Sequence, residues 1–322
     1  MLKLNLLQGQ QMVGARARSM MVLTMTVVAA TAGLAHAQTR VLGHTPGNFE
    51  VSPSGGATYT IPIQVPPGVA GLVPNLSLNY NSQAGIGIAG LGWTLEGASA
   101  ITRCPQTRAT DGAYGAVNLN TADRFCLDGQ RLILVSGSYG AAGSEYRTEY
   151  DQFLRITANG AAGGNAANGP ESFTARTKDG QVWQFGTTAD SRIEAQGKSV
   201  VAAWAQASAT DIAGNAVTYH YWEDNANGAW WLNVVAYASG SRSVHLHHES
   251  RPDIYRVYTA GSMETPYGRL TKVETRIGSA TVQSLYLGYD AASNIYGSRL
   301  TSVQLCDKDN KCVAPTTFGW GS

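Results

Sequence analysis

A cluster of histidines near residue 246 is the segment of this sequence that most resembles a metal-binding site. The segment 244–249 reads Val-His-Leu-His-His-Glu, which is typical of a strand. Because side chains alternate along a strand, His245 and His247 lie on the same side and could bind one metal ion such as zinc. A third ligand is not apparent, and exposed strand histidines explain the same pattern. We therefore predict no metal and no other cofactor, and keep His245 and His247 only as candidate ligands.

A glycine-dense segment, Gly85-x-Gly87-x-x-Gly90, matches the string of a dinucleotide-binding fingerprint. That fingerprint needs a helix directly after its glycines and a crossover to a second parallel strand. The residues that follow, 91–97, carry glycines near both ends and are poor helix formers. We interpret the segment as a tight loop in which glycine permits close approach of another backbone.

The segment 307–311, Asp-Lys-Asp-Asn-Lys, resembles the start of a calcium-binding loop. However, Lys311 occupies a ligand position, and Cys312 stands where such a loop has its sharp-turn glycine. We therefore interpret this segment as a polar hairpin tip.

The four cysteines, Cys104, Cys126, Cys306 and Cys312, allow three disulfide pairings. Their clustering favours Cys104–Cys126 and Cys306–Cys312, which close one medium loop and one short loop. Disulfides are the default in an oxidising compartment, and no Cys-x-x-Cys pair is present for a zinc site.

The sequence contains no assembled catalytic group. No Gly-x-Ser-x-Gly nucleophile elbow occurs, and the cysteines are assigned to disulfides. The carboxylates are scattered, although the two acids of a glycosidase can lie far apart in a sequence. We predict that the chain is not an enzyme.

Tryptophans suggest an alternative to a purely structural chain. Trp222, Trp230 and Trp231 could stack on sugar rings, which would make the chain a secreted carbohydrate-binding β-module. The same residues would fit equally well in the core of a β-protein, and that is the interpretation we prefer.

The N-terminus predicts export. Lys3, Arg16 and Arg18 precede an apolar run over 20–35, which ends at the small-x-small site Ala35-His36-Ala37. This order is typical of a signal peptide at residues 1–37, and the run is shorter than the roughly 20 residues of a membrane-spanning helix. The predicted mature chain is secreted and has no later membrane span.

Removal of the predicted signal peptide would also change the net charge of the chain. Removing three of the 23 basic residues leaves 20 against 22 acidic ones, a net charge of −2. Such a balance argues against a nucleic-acid or anionic-membrane partner held by bulk charge, and we predict no nucleic-acid partner.

Short runs with strand character, separated by turns, fill the rest of the chain. The 37 glycines are too many for a protein built mainly of long helices. An Asp179-Gly180 pair between alternating runs at 173–176 and 182–185 predicts a hairpin. Residues 268–273 resemble residues 298–303, which suggests one hairpin unit used twice. We predict an all-β fold of many short antiparallel strands and hairpins, with a shell-like or sandwich-like architecture.

Several of these segments, taken in order, resemble one family, the SpvB-type N-terminal domain of bacterial virulence proteins, insecticidal toxin complexes and Rhs-related proteins. The resemblance spans residues 47 to 320, and the stretch 74–93 is its most specific part. It rests on the segments 47–57, 67–82, 85–93, 123–132, 211–215 and 219–221.

The resemblance implies a structural role for residues 38–322. In the family such a segment begins a longer protein and contributes to a β-shell that encloses or presents a C-terminal toxin. The implied partners are toxin-complex or Rhs-type components, or C-terminal modules beyond this sequence. The ADP-ribosyltransferase that SpvB carries has no counterpart in these residues, so no activity is transferred from it.

Overall fold

The computed structural model describes residues 43–290 and 297–321, and it also places a two-residue strand at Leu2–Lys3. Apart from that strand, the predicted signal peptide at residues 1–37 lies outside the described residues. Strands make up 51% and helices 6% of the structure, which confirms the predicted all-β class. Within the described part of the chain, no helix is long and apolar enough to cross a membrane.

Short strands dominate the first half of the described chain. Their bounds are β1 (Leu2–Lys3), β2 (Asn48–Val51), β3 (Ala57–Pro62), β4 (Ser77–Asn81), β5 (Ile86–Gly87), β6 (Gly90–Leu91), β7 (Trp93–Glu96), β8 (Ala100–Cys104), β9 (Arg124–Leu127), β10 (Gln130–Ser136), β11 (Glu145–Thr148), β12 (Arg155–Asn159), β13 (Ser172–Arg176) and β14 (Val182–Phe185).

Longer strands follow in the second half. Their bounds are β15 (Arg192–Glu194), β16 (Val201–Thr210), β17 (Ala216–Asp224), β18 (Ala229–Tyr237), β19 (Arg242–Ser250), β20 (Val257–Thr259), β21 (Ser262–Glu264), β22 (Gly268–Ile277), β23 (Ala280–Tyr289), β24 (Leu300–Asp307), β25 (Thr316–Thr317) and β26 (Gly319–Trp320). The helical elements are single turns, namely α1 (Arg108–Asp111) and the 3-10 turns η1 (Val69–Gly71), η2 (Ala162–Gly164), η3 (Ala166–Asn168) and η4 (Ala189–Ser191).

Eight strands close into a cylinder, in the order β14-β13-β12-β11-β10-β9-β8-β16. The strand β16 closes it, because its first half pairs with β8 at Ala203↔Thr102 and its second half pairs with β14 at Thr210↔Val182. The strands β13 and β14 pair directly on either side of a turn at 177–181, so the predicted hairpin is confirmed.

Aromatic side chains fill the cylinder. Trp204 is fully buried, and its ring centroid lies 5.2 Å from that of Phe125 and 5.1 Å from that of Phe173, with edge-to-face geometry in both pairs. The Trp204 indole N–H donates a hydrogen bond of 2.9 Å to the Pro170 carbonyl, so the polar atom of this core residue is also satisfied.

A second core lies between two sheets. From β16 the large sheet continues as β17-β18-β19-β22-β23-β24-β25, and a separate N-terminal sheet has the order β2-β3-β4-β7. Leu78 and Trp93 of the N-terminal sheet share one buried cluster with Val235 and Val273 of the large sheet. The Tyr237 hydroxyl donates to the Pro66 carbonyl at 2.7 Å, which ties the segment after β3 to the same layer.

The repeated motif at 268–273 and 298–303 occupies two parallel positions in the large sheet. The first copy lies in β22 and the second runs into β24, and the two strands pair with opposite edges of β23. Leu270 and Leu300 are both fully buried in the same cluster. Each copy begins an antiparallel strand pair, β22 with β23 and β24 with β25, which agrees with a hairpin unit used twice. Both copies also contribute to one buried layer.

Two disulfides are present, in the pairing that the clustering favours. Cys104–Cys126 joins the neighbouring strands β8 and β9, with 5.9 Å between the Cα atoms. Cys306–Cys312 closes the short loop that follows β24. The residues that the structure describes include no free cysteine.

Replacing Trp204 with alanine should strongly destabilise the cylinder. The change removes a fully buried indole and leaves a cavity among the other rings, which costs about 3–5 kcal/mol. Urea unfolding monitored by circular dichroism measures the loss. The matched control is Tyr114→Ala, whose side chain is 86% exposed and which should change stability by no more than about 0.5 kcal/mol. Equal effects of the two changes would contradict this account of the core.

Candidate functional site

The candidate histidines lie on β19 and face the same way. Val244 and Leu246 of that strand are buried in the core, so His245 and His247 lie on the opposite face of the sheet. His245 Nε2 lies 2.9 Å from Ser243 Oγ, whereas His247 Nε2 lies 3.3 Å from a carboxylate oxygen of Glu274 on β22. The structure therefore brings one imidazole and one carboxylate together, which the sequence did not predict.

Glu274 is already occupied by donors on its own strand and the next. Lys272 Nζ, Arg276 Nε and Thr281 Oγ1 each lie 2.6 Å from its carboxylate oxygens. Burial on its own raises the pKa of Glu274, but these hydrogen bonds outweigh burial and hold the pKa well below its usual range. A carboxylate that is neutralised in this way is a poor metal ligand.

Burial and neighbouring cations also lower the pKa of both candidate histidines. Arg276 is the main cation acting on His245, and Lys272 is the main cation acting on His247. Among the residues that the structure describes, no group of three or more His, Cys, Asp and Glu side chains is arranged to hold a metal ion.

The glycine-dense segment is a docking loop between the two sheets. A Cβ atom on Gly90, whose φ is +96°, would lie 2.4 Å from the Ser298 carbonyl oxygen, and the Leu91 N–H donates to that same oxygen at 2.8 Å. On the other side, the Leu270 N–H donates to the Ile88 carbonyl at 2.9 Å. Strands follow the glycines instead of a helix, so the geometry is that of a close backbone contact and not of a nucleotide-binding turn.

A buried ion pair holds this docking loop in place. Arg251 donates to both oxygens of Asp253, at 3.0 and 3.1 Å, and the two side chains are 1% and 2% exposed. The backbone N–H and the hydroxyl of Ser298 donate to the same carboxylate at 2.6 and 2.5 Å. Arg251 also donates to the Gly87 carbonyl at 3.4 Å, so one network contacts the docking loop and the segment directly before β24.

The protonation of Asp253 is fixed by this network. Burial on its own raises the pKa of Asp253, but hydrogen bonds from Arg251 and Ser298 outweigh burial and hold the pKa far below its usual range. The carboxylate is therefore ionised at any physiological pH, and its role is structural.

Asp253→Asn should cost about 3–5 kcal/mol of stability, because it leaves the buried Arg251 charge uncompensated. Urea unfolding at neutral pH measures this loss. Asp309→Asn is the matched control, since Asp309 pairs with Lys308 on the surface and its loss should cost at most about 0.5 kcal/mol. The double change Arg251→Met with Asp253→Leu should recover part of the stability, and failure of the single change to destabilise would refute the assignment.

The calcium-like segment forms a polar hairpin tip, as we interpreted it. Asp307 Oδ1 accepts hydrogen bonds of 2.9 Å from the backbone N–H groups of both Asp309 and Lys311. The bond from Lys311 contributes most to lowering the pKa of Asp307. The Val313 N–H donates to the Leu305 carbonyl at 3.0 Å. The chain thus folds back along β24, and the Cys306–Cys312 disulfide fixes that return.

The tryptophans pack on one another. Trp222 and Trp231 stack face to face, 4.1 Å apart at 15°, and Tyr267 meets both rings edge-on. Trp230 points the other way, against Tyr221 and the core between the sheets. Stacking uses one face of each indole, Tyr267 covers edges of both, and His248 lies 5.2 Å from the Trp231 ring, so this geometry gives the carbohydrate-binding alternative no specific support.

A cavity of about 280 Å³ lies beside the cylinder and under the β20–β21 hairpin. Three carboxylates line it from three separate strands: Glu194 on β15, Glu223 on β17 and Glu264 on β21. These three acids lie 29 to 70 residues apart in the chain, so no local sequence signal predicted their grouping. Only the tertiary pairing of the strands brings them together.

Glu223 is the least compensated of these acids. Its Oε1 atom is shielded from solvent and has no hydrogen-bond partner among the described residues. Burial, followed by the negative charges of Glu194 and Asp190, raises the pKa of Glu223 to about 7. Burial likewise raises the pKa of Glu264, which accepts a hydrogen bond from Thr259.

Glu223→Gln should stabilise the protein in a pH-dependent way. The pKa of Glu223 is raised in the folded state, so ionising it destabilises the fold as pH rises above the ordinary pKa of 4.5, and the penalty is complete above about 7. We expect the variant to gain about 1 kcal/mol at pH ~8, a value reduced for partial solvation, and nothing near pH ~4. Thermal melts across this range test it, with exposed Glu96→Gln as the control that should show no such trend.

The comparisons with known proteins identify the family. The family model for SpvB, the Salmonella virulence plasmid 65 kDa B protein, matches residues 51–246. No curated protein sequence gives a significant match.

Solved structures share the fold at low sequence identity. The TcdB2-TccC3 crystal structure is 18% identical with a TM-score of 0.69, over 86% of this chain and 17% of that chain. The Tc holotoxin pore of Photorhabdus luminescens is 18% identical with a TM-score of 0.67, over 84% and 16%. The N-terminal domain of the effector SpvB from Salmonella typhimurium strain LT2 is 18% identical with a TM-score of 0.61, over 77% and 98%.

These relatives differ greatly in length from this chain. It spans about a sixth of the toxin chains that it matches, but corresponds to nearly the whole of the solved SpvB domain. The matched residues include the docking loop, β16 and the start of the large sheet, which are the elements that define the fold. The chain belongs to the SpvB family.

Proposed function

We propose that this chain is a non-enzymatic, exported structural segment of a toxin or virulence protein. In this role it contributes part of a β-shell that encloses or presents a toxin. The observation that carries the proposal is the shared fold, which covers most of this chain but a small part of the much longer toxin chains. A domain that recurs as one portion of a larger assembly suits a carrier role better than an independent activity.

The polar groups support a non-enzymatic role. The best candidate ligands, His245 and His247, lie beside a carboxylate that cations already neutralise, and Asp253 is enclosed in a structural network. Hydrogen bonds within the fold hold the carboxylates of Glu274 and Asp253, so neither of these two is left poised for proton transfer to a substrate.

An exposed edge strand supports a place in a larger assembly. All four residues of β2 are exposed, including Phe49 at 52% and Val51 at 64%, and β2 ends the N-terminal sheet. An exposed apolar edge is a template for pairing with further strands. The proposed partners are toxin-complex or Rhs-type components, or additional modules of the same protein that follow residues 38–322.

Export is the remaining part of the proposal. The predicted signal peptide at residues 1–37 would direct the chain out of the cell, and the two disulfides suit an oxidising compartment. We therefore propose a secreted location.

Deleting residues 43–321 in the native host, while keeping the signal segment, tests the carrier role. If the segment forms part of an enclosing shell, the toxin cargo should become sensitive to added protease, or should fail to appear outside the cell. The control strain keeps the full chain and carries only an epitope tag after residue 42. Unchanged secretion together with unchanged protease resistance of the cargo would refute the proposal.

A further inference from the structure

The cavity under the β20–β21 hairpin is formed by parts that are distant in sequence. Its walls come from β8, β15, β16, β17 and β18, and the hairpin closes one side with Thr259, Ser262 and Met263. A volume of about 280 Å³ lies just below the ~300–1,000 Å³ of typical small-molecule pockets. It therefore suits a ligand of side-chain size.

The hairpin is attached to the wall at specific points. The Ser262 hydroxyl donates to the Gln196 carbonyl at 3.1 Å, and Lys198 Nζ donates to the Ala260 carbonyl at 3.1 Å. A Cβ atom on Gly228, whose φ is +62°, would lie 2.0 Å from the Met263 carbonyl oxygen. The close approach at Gly228 shows that the hairpin is seated against the β17–β18 turn.

The charge of the lining selects the kind of ligand. Glu194, Glu223 and Glu264 face the cavity, and the cation in the lining is Arg103. Arg103 is fully engaged, because it donates to Asp123 and to the carbonyls of Val201, Asn120 and Asn168. Glu194 already pairs with Arg192, whose Nε atom lies 3.4 Å from its carboxylate, so the excess negative charge of the cavity comes from Glu223 and Glu264.

The arrangement of the carboxylates argues against a metal ion. No three of the acidic, histidine or cysteine side chains in the described residues converge on one point as metal ligands. Carboxylates that are spread around a cavity suit a cation with several N–H donors at separate positions. Trp230 adds an aromatic ring to the same wall, which favours an organic cation further.

We propose that this cavity binds an organic cation bearing a guanidinium or amine group, with Glu223 as its principal partner and Glu264 and Glu194 as secondary partners. The shielded Oε1 atom of Glu223, which has no hydrogen-bond partner among the described residues, is the acceptor that the ligand would satisfy. The site is independent of the proposed carrier role, since none of its residues belongs to the exposed edge strand β2.

Titration calorimetry with agmatine, which carries one guanidinium and one amine, tests the proposal on the full chain at neutral pH. We expect saturable binding with a Kd of about 1 mM or tighter. Glu223→Gln and Glu264→Gln should each weaken binding at least ~10-fold, because each removes a charge-assisted hydrogen bond. The matched control is Glu96→Gln on the exposed face of β7, which should bind like the unmodified chain.

Two further ligands test whether binding requires a positive charge and whether the cation is a free small molecule or a protein side chain. Butylurea, a neutral analogue, should not bind. A Gly-Gly-Arg-Gly-Gly peptide that binds at least as tightly as agmatine would indicate a protein side chain as the source, whereas binding of agmatine alone would indicate a free small cation.

The pH dependence of agmatine binding is a second test, because the affinity would not depend on the protonation of Glu223 if that residue had only a structural role. The charged groups around Glu223 and its neighbours are Glu194 with its partner Arg192, Glu264, Asp190 and Arg103. Affinity for agmatine should fall about 10-fold as Glu223 is protonated below pH ~7. No saturable binding up to ~10 mM agmatine, or equal affinity of unmodified chain and Glu223→Gln, would overturn the proposal. Because Glu223→Gln should be the more stable protein at neutral pH, misfolding would not explain its loss of binding.

Discussion

The architecture depends on the two-sided pairing of one strand, β16. Its ten residues must satisfy backbone hydrogen bonds on both edges, and no single neighbour does so along the whole length. The first half lies between β8 and β15, and the second half lies between β14 and β17. This exchange of partners closes the cylinder and starts the large sheet with the same backbone, so the two parts of the molecule share one hydrogen-bond network.

The N-terminal sheet is joined to this framework by side-chain packing and a buried ion pair, and not by the strand pairing of β16. Apolar packing around Trp93 forms the core shared by the two sheets, but the position of the docking loop is set by the Arg251–Asp253 pair and by Ser298. A buried pair of this kind contributes little net stability relative to apolar residues, whereas breaking it is costly. Its value lies in specifying where the glycine backbone of the loop must lie.

Local patterns in the sequence predicted part of this structure. The Asp179-Gly180 hairpin, the all-β class and the glycine loop follow from alternation and turn chemistry, which act between near neighbours. The facing of His245 and His247 was also predictable, but their neighbour Glu274 was not, because it comes from another strand. The grouping of the cavity acids was not predictable for the same reason. The repeat at 268–273 and 298–303 indicated local strand pairing, but the burial of both copies in one layer depends on the tertiary structure.

The partner exchange of β16 has a consequence for the time course of folding. Arg103 and Val201, which meet where β8 joins β16, are 98 residues apart in the chain. Contacts of such long range form slowly, since the loss of loop entropy precedes the energetic gain. Because β16 pairs with both β8 and β14, the cylinder cannot close until residue 210 becomes available. During synthesis the strand edges of β8 and β14 that β16 will cover are open to proteases and to mispairing until then.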